Sequence, residues 1–303
     1  MVPGTSDVSN GMAVVARLLA EEQGDAEVVD LNIGMCRIGG SDVEEVWVHG
    51  MWLPNEWLAC LKAIRCGRRL IRMTHGSLSP VYLKHQSPFK KWLVGPIERF
   101  CLRRAKALVA TCSAEADWIR SYLGRHCPPI IITDIKRFFN LANTTGKTGQ
   151  TRFPTTRPLH LLYLGRRHPL KGLSHLESAL ATYYNMLSQP TPLDLPTEAP
   201  DTKYYNKCPI EFRTVSNAFG DELEKVWDWC DVLVLPTLSD NFGLVIAEAL
   251  ERGKRVITTD GVPAWSNDND YGGRLIYLRG YRDGSDEERI TLLKDAIESI
   301  VKE

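Results

Sequence analysis

"LPTLSDNFGLVIAEALERGKRVITT", Leu235–Thr259, decides the fold. It continues the apolar run "DVLVLP", passes through the turn "LSDNFG", and then shows helical character over "FGLVIAEALERG". "KRVITTD" follows as a β-branched, apolar run. A buried strand, a helix and a second buried strand in so short a span imply parallel pairing through a crossover. Two acids stand out. Asp240 sits in the turn, which lies at the carboxyl end of the strand. Glu248 sits inside the apolar "VIAEAL", where a carboxylate is costly unless it has partners. For Asp240 the simplest alternative is a helix N-cap. For Glu248 it is an exposed helix position, which so apolar a helix disfavours.

The same alternation extends in both directions. Upstream in the second half come "LHLLYLG", "LSHLESALATYYNML", "IEFRTVS" and "ELEKVWDWC". Downstream, "SDEERITLLKDAIESIVKE" opens with a capping box, Ser285 and Glu288, and presents Ile290, Leu293, Ile297 and Ile300 on one face. The first half repeats the grammar. "SNGMAVVARLLAEEQG" reads as a helix, "EEVWVHG" as a strand and "LACLKAIRCG" as a helix. "RLIRMTHG" reads as a strand, "PFKKWLVGPIERFCLRRAKA" as a basic helix, "ALVATCS" as a strand and "AEADWIRSYLG" as a helix. His49–Gly50, His75–Gly76 and Thr111–Ser113 then fall at strand carboxyl ends, where open parallel sheets bind ligands. Residues 141–158, rich in Thr, Gly and Asn, read as a linker, and 188–203, rich in Pro, as a surface loop. The expected organisation is residues 1–140, a linker over 141–158, and 159–303: two Rossmann-like α/β domains.

Composition narrows the function. The 303 residues balance 37 basic against 37 acidic side chains, so nothing global points to nucleic acid. Residues 1–150 hold 19 Lys/Arg and 14 Asp/Glu, a net of +5, which leaves 18 and 23, a net of −5, for the rest. The eight cysteines form no CxxC and no set with zinc spacing, which suits reduced thiols in a cytosolic protein. His85, His126, His160, His168 and His175 show no metal spacing either. No apolar run approaches the roughly 20 residues of a membrane span, and no signal-peptide core precedes the first helix. Any membrane contact is therefore expected to be peripheral. Lys84–Lys106 favours it: seven cations stand there against one acid, Glu98, with Trp92, Leu93 and Phe100 interleaved. The alternative is a crossover helix with a solvated basic face.

"YLGRRHPLKGL", Tyr163–Leu173, adds chemistry. Gly165 permits a turn after an apolar strand, and Arg166 and Lys171 follow just before a helix. Two cations beside a helix N-terminus make a natural diphosphate site. A solvated basic loop is the alternative.

Together these segments resemble family 4 retaining glycosyltransferases. "DNFGLVIAEALERGKRVITT" looks like the family's E-x7-E signature, and "YLGRRHPLKGL" resembles its donor-phosphate segment. "RMTHGSL", "KKWLVGPIERFCLRRAKALVATCSAEADWIR" and the "VSNG" near the start resemble its N-terminal domain. The resemblance implies the GT-B fold, with two Rossmann-like domains facing across a cleft, the first binding acceptor and the second nucleotide sugar. It implies a hexosyltransferase that retains anomeric configuration, needs no cofactor and no divalent metal, and uses a nucleotide diphosphate sugar. Carried over, Arg166 and Lys171 would neutralise the diphosphate beside Gly165, and Glu248 would bind the ribose. Asp240 would hold the transferred sugar with the backbone of Asn241, Phe242, Gly243 and Leu244. His75 would contact the sugar, and Asn10 with Gly11 would form a loop beside the donor phosphate. The acceptor implied is a cell-envelope polysaccharide or lipopolysaccharide, a glycan or lipid-linked glycan. The location expected is cytoplasmic, with the peripheral membrane contact read above from the charge of residues 84–106. Two departures are visible. Asp240 replaces the family's leading Glu, and only Met1 and Val2 precede Pro3-Gly4, so the first sheet is expected to lack the family's first strand. Both keep a catalytically inactive GT-B binding module in view, and a sugar-nucleotide epimerase is the same-fold alternative.

Overall fold

The computed structural model describes residues 11–141, 157–187, 202–203, 210–216, 218–266 and 271–302. The chain divides into two compact units, Met1–Phe138 and Phe139–Glu303.

The first unit contains α1 (Gly11–Gln23), α2 (Leu31–Arg37), β1 (Glu45–His49), α3 (Pro54–Arg65), β2 (Arg69–Met73) and α4 (Pro80–His85). It continues with α5 (Pro88–Leu93), α6 (Gly95–Arg104), β3 (Ala107–Ala110), α7 (Ser113–Leu123) and β4 (Ile130–Ile132). The four strands are parallel and lie in sequence order, β1-β2-β3-β4. Apolar residues drive this, with Val48, Leu70, Leu108, Leu102 and Ile119 buried in one core. Three details differ from the sequence reading. Helix α3 starts at Pro54, whose missing N–H costs nothing in a first turn. The basic segment expected as one helix is two, because Pro96 lacks the N–H a continuing helix needs and restricts Gly95 before it. Glu98, its one acid, is turned fully inward, accepting from the Arg72 guanidinium at 2.8 Å and the Trp52 N–H at 2.7 Å. Helices α2 and α4 and strand β4 went unread.

The second unit contains β5 (Leu159–Leu164), α8 (Leu173–Leu187), β6 (Thr202–Lys203), β7 (Ile210–Val215), α9 (Asp221–Trp229), β8 (Val232–Leu235), α10 (Leu244–Glu251), β9 (Arg255–Thr259), β10 (Leu275–Leu278) and α11 (Asp286–Val301). The sheet order is β10-β9-β8-β5-β7-β6, parallel throughout except that β6 runs antiparallel to β7. Thr202 and Lys203, read as loop, thus extend the sheet edge. Strands buried on both faces explain the unbroken apolar runs. Leu161, Val232 and Val234 pack with α8 and α11, whereas Leu162, Leu233 and Val256 are buried without joining that cluster. Ser285 and Glu288 form the expected capping box, and Leu293, Ile297 and Ile300 are buried on one face of α11.

Strand order locates the crevice of this unit. From β5 the chain goes to β7 on one side and then to β8, β9 and β10 on the other. The order therefore reverses between β5 and β8, and the loops leaving those two strands lie side by side at the sheet's carboxyl edge. Open α/β sheets bind ligands at such a point.

Candidate functional site

The loop after β5 is a single 3-10 turn, Pro169–Lys171, closed by Gly172 in the left-handed region with φ 68°. Gly172 faces the loop after β8 so closely that an added Cβ would meet the Pro236 carbonyl oxygen at 1.9 Å. On the other side Gly261 approaches the same loop, and a Cβ there would meet the Thr237 carbonyl oxygen at 2.0 Å. Hydrogen bonds complete the clamp. The Thr237 hydroxyl and the Leu238 N–H both donate to the Leu170 carbonyl, at 2.9 and 2.8 Å. The Asp240 N–H donates to the Gly261 carbonyl at 2.9 Å, and the Thr259 hydroxyl donates to the Thr237 carbonyl.

This clamp brings Lys171 and Asp240, 69 residues apart, into an ion pair. Both side chains keep partial exposure, 19% and 23%. Asp240 is not the helix N-cap. Helix α10 begins at Leu244 rather than near Phe242, with Gly243 as its N-cap in the left-handed region and no side-chain cap hydrogen bond. Its first amides are thus left to backbone turns and solvent. Phe242 is buried beneath, against Trp265 and Phe139, and its carbonyl accepts the Trp265 indole N–H at 2.6 Å.

Glu248 lies in the second turn of α10, half-buried, between the buried Ala247 and Ala249. Burial pushes its carboxyl above the ordinary range, and the Arg252 charge opposes that only in part. Its carboxylate makes no hydrogen bond to any described residue. Arg166 is exposed; its carbonyl accepts the Tyr163 hydroxyl at 2.9 Å, but its guanidinium has no hydrogen bond among the described residues. The pair of fixed cations read from the sequence is therefore one fixed cation, Lys171, and one exposed cation, Arg166. Gly165 continues the ladder, its N–H donating to the Val215 carbonyl at 2.9 Å.

In the first unit, His75 follows β2 with φ 50°, a conformation a β-carbon disfavours. Its Nε2 lies 2.9 Å from His49 Nδ1 at the end of β1. Burial holds both rings neutral, pushing His75 down to about 3 and His49 well below the imidazole range, with the adjacent His75 ring a second cause for His49. Beneath them sits Glu115, a residue sequence reasoning passed over. Fully buried in α7, it accepts from the Thr74 hydroxyl (2.8 Å), the Gly76 N–H (2.6 Å), the Thr111 N–H (2.8 Å) and the Thr111 hydroxyl (3.0 Å). One carboxylate thus ties together the exits of β2 and β3. The signal was an acid four residues beyond Thr111, in the first turn of the helix that follows a strand. Gly11 is the first residue of α1, while Asn10 lies outside the described residues. Among the described residues no group of three or more His, Cys, Asp or Glu could hold a metal ion.

Residues 35–131 match the family model described as a glycosyl transferase 4-like domain. No curated protein sequence matches the chain. Solved structures resemble it in fold. Sucrose-phosphate synthase from Thermosynechococcus elongatus shares 14% identity with a TM-score of 0.55, over 89% of this chain and 68% of that one. The alpha,alpha-trehalose 6-phosphate synthase of Burkholderia multivorans shares 12% with a TM-score of 0.55, over 97% and 73%. HepE from Anabaena, whose structure holds UDP and glucose, shares 15% with a TM-score of 0.53, over 88% and 71%. The shared fold is GT-B.

Proposed function

We propose, from a chain that carries a glycosyl transferase 4-like domain over residues 35–131 and has the GT-B fold, that it is a retaining, metal-independent glycosyltransferase. It moves a sugar from a nucleotide diphosphate sugar to a cell-envelope polysaccharide or lipopolysaccharide acceptor. It works at the cytoplasmic face of the membrane, with peripheral contact through residues 84–106. One observation carries the reading: Lys171 and Asp240 are clamped together where the strand order reverses, and Glu248, whose carboxylate makes no hydrogen bond among the described residues, stands on the next helix.

The chemistry follows from charge. Cleaving the anomeric C–O bond builds negative charge on the leaving diphosphate. Lys171, Arg166 and the uncapped start of α10, with the amides of Gly243 and Leu244, stabilise that charge most as the bond breaks. Glu248 accepts from the ribose hydroxyls, which supply the partners its position lacks. Asp240, with the backbone of Asn241 and Phe242, accepts from hydroxyls of the transferred sugar, and Gly165 lets the chain pass close to the donor. In the first unit, His75 is the residue for the sugar, and Asn10 with Gly11 for the donor phosphate. A neutral His75 serves as a hydrogen-bonding group rather than a charged one, and its Nδ1 is the ring nitrogen not facing His49.

A panel of nucleotide diphosphate sugars, offered with an envelope glycan acceptor, tests this. Nucleotide release coupled to product of retained anomeric configuration is expected. The reading fails if no donor gives release above that of Lys171→Ala. Nucleotide binding without turnover on any donor points instead to an inactive binding module, a reading the engagement of Asp240 by Lys171 favours.

A further inference from the structure

The division of the basic segment into two helices exposes a feature that charge counting does not show. Helix α5, six residues long, buries none of its side chains. Phe89, Trp92 and Leu93 are 67%, 76% and 50% exposed. They sit at positions i, i+3 and i+4, so they share one helical face. Helix α5 packs on α6, and the Lys91 ammonium donates to the Leu83 carbonyl at 3.1 Å, tying α5 to the end of α4. An aromatic wedge is thereby held on a fixed base. Lys84 and Lys91 are exposed beside it and Lys90 is half-exposed. Glu98, the one acid between 84 and 106, is buried against Arg72, and Glu56, whose charge Lys90 also feels, is buried as well.

We infer that the α5 tip is a membrane-docking surface, with Phe89, Trp92 and Leu93 inserted at the headgroup–acyl boundary of an anionic bilayer and Lys84, Lys90 and Lys91 on the phosphates. The peripheral contact proposed above rested on charge; this inference names the insertion point and does not depend on sugar transfer. Charge decides the occupant. A second copy of the same face would set lysine against lysine, which like-charge repulsion opposes. A neutral apolar partner would leave the lysines unanswered. An anionic lipid surface answers both parts at once: the rings gain apolar burial, and each cation near the surface adds attraction.

Flotation of the full chain tests this, using phosphatidylcholine vesicles containing about 30% phosphatidylglycerol against phosphatidylcholine alone. The chain is expected to float with the anionic vesicles only, and more weakly at about 0.5 M salt. Phe89→Ser with Trp92→Ser is expected to lower partitioning about tenfold or more, by loss of apolar burial. Lys90→Glu with Lys91→Glu is expected to lower it about thirtyfold or more. Both double variants alter exposed or half-exposed side chains, and the Lys91–Leu83 hydrogen bond that the lysine variant loses is itself exposed, so their unfolding midpoints should lie close to the parent's. Failure of the parent chain to float with anionic vesicles overturns the inference. So does flotation of the aromatic double variant equal to the parent's. A concentration-dependent dimer lost in both variants, with no flotation, would assign the face to a second copy. None of these readouts involves transfer, so the inference and the proposed reaction fail separately.

Discussion

The two units end their strands in opposite ways. In the first, the strands follow sequence order, and the exits of β2 and β3 are sealed by Glu115, whose two oxygens are consumed by four protein donors. In the second, the order reverses at β5 and β8, and the polar groups there keep unused capacity: an exposed Arg166, a half-buried Glu248 and an α10 whose N-cap, Gly243, has no side chain to offer its first amides. A polar group satisfied by the fold maintains the fold. A polar group the fold leaves unsatisfied is available to a ligand, and its removal should be felt in binding rather than in stability.

Glu115→Ala should break this contrast most severely. It strands buried N–H and hydroxyl donors, and a loss of about 3 kcal/mol or more is expected in denaturant unfolding. A loss under about 1 kcal/mol would mean the sealing role is misassigned. Lys171→Ala should do the reverse. Transfer is expected to fall by about 10²–10³-fold, as for loss of a preorganised group on the leaving-group charge. Stability should move by about 1 kcal/mol or less, because the Lys171–Asp240 pair is partly exposed. Near-normal turnover would remove Lys171 from the reaction.

Glu56 refines the idea of sealing. It is 1% exposed and accepts the Leu53 N–H at 2.8 Å, yet burial raises its carboxyl from the usual 4.5 to about 7. Folding therefore favours the protonated form. The stability this contributes is present below the unfolded pKa of 4.5 and is lost as pH rises through about 7. Glu56→Gln mimics the protonated form. Its stability relative to the parent should climb by about 2–3 kcal/mol between about pH 5 and about pH 8, read from urea midpoints. A difference independent of pH would refute the shift. Glu248→Gln should give the smallest change: unaltered or slightly higher stability, since burial already disfavours the charge, and about tenfold weaker binding, by calorimetry, of whichever nucleoside diphosphate the donor panel selects. Unchanged affinity for that nucleoside diphosphate would remove Glu248 from the nucleotide.

The strands carrying the candidate site were legible because a strand buried on both faces leaves an unbroken apolar run, as in "DVLVLP" and "LHLLYLG". Strand β4 was not, because three isoleucines behind two prolines give no period to read. Helix α2 was hidden by Gly34 in its interior. Glu248 announced itself by being the wrong residue for its surroundings. Glu115 did not, because the first turn of a helix is where an acid is ordinary. The pairing of Lys171 with Asp240 is invisible in sequence, since only the neighbouring of β5 and β8 brings residues so far apart together.

Gly172 and Gly261 carry no functional group, yet the loop bearing Asp240 is gripped between them with no room for a methyl on either side. The spacing of Lys171 and Asp240 is therefore set by two absences. In a saturation survey of the chain, these glycines should prove as intolerant as the charged residues they align. The lesions would also differ in kind. A replaced lysine leaves a site of the right shape with the wrong charge, whereas Gly172→Ala leaves the right charges at the wrong distance, which no surplus of donor can restore.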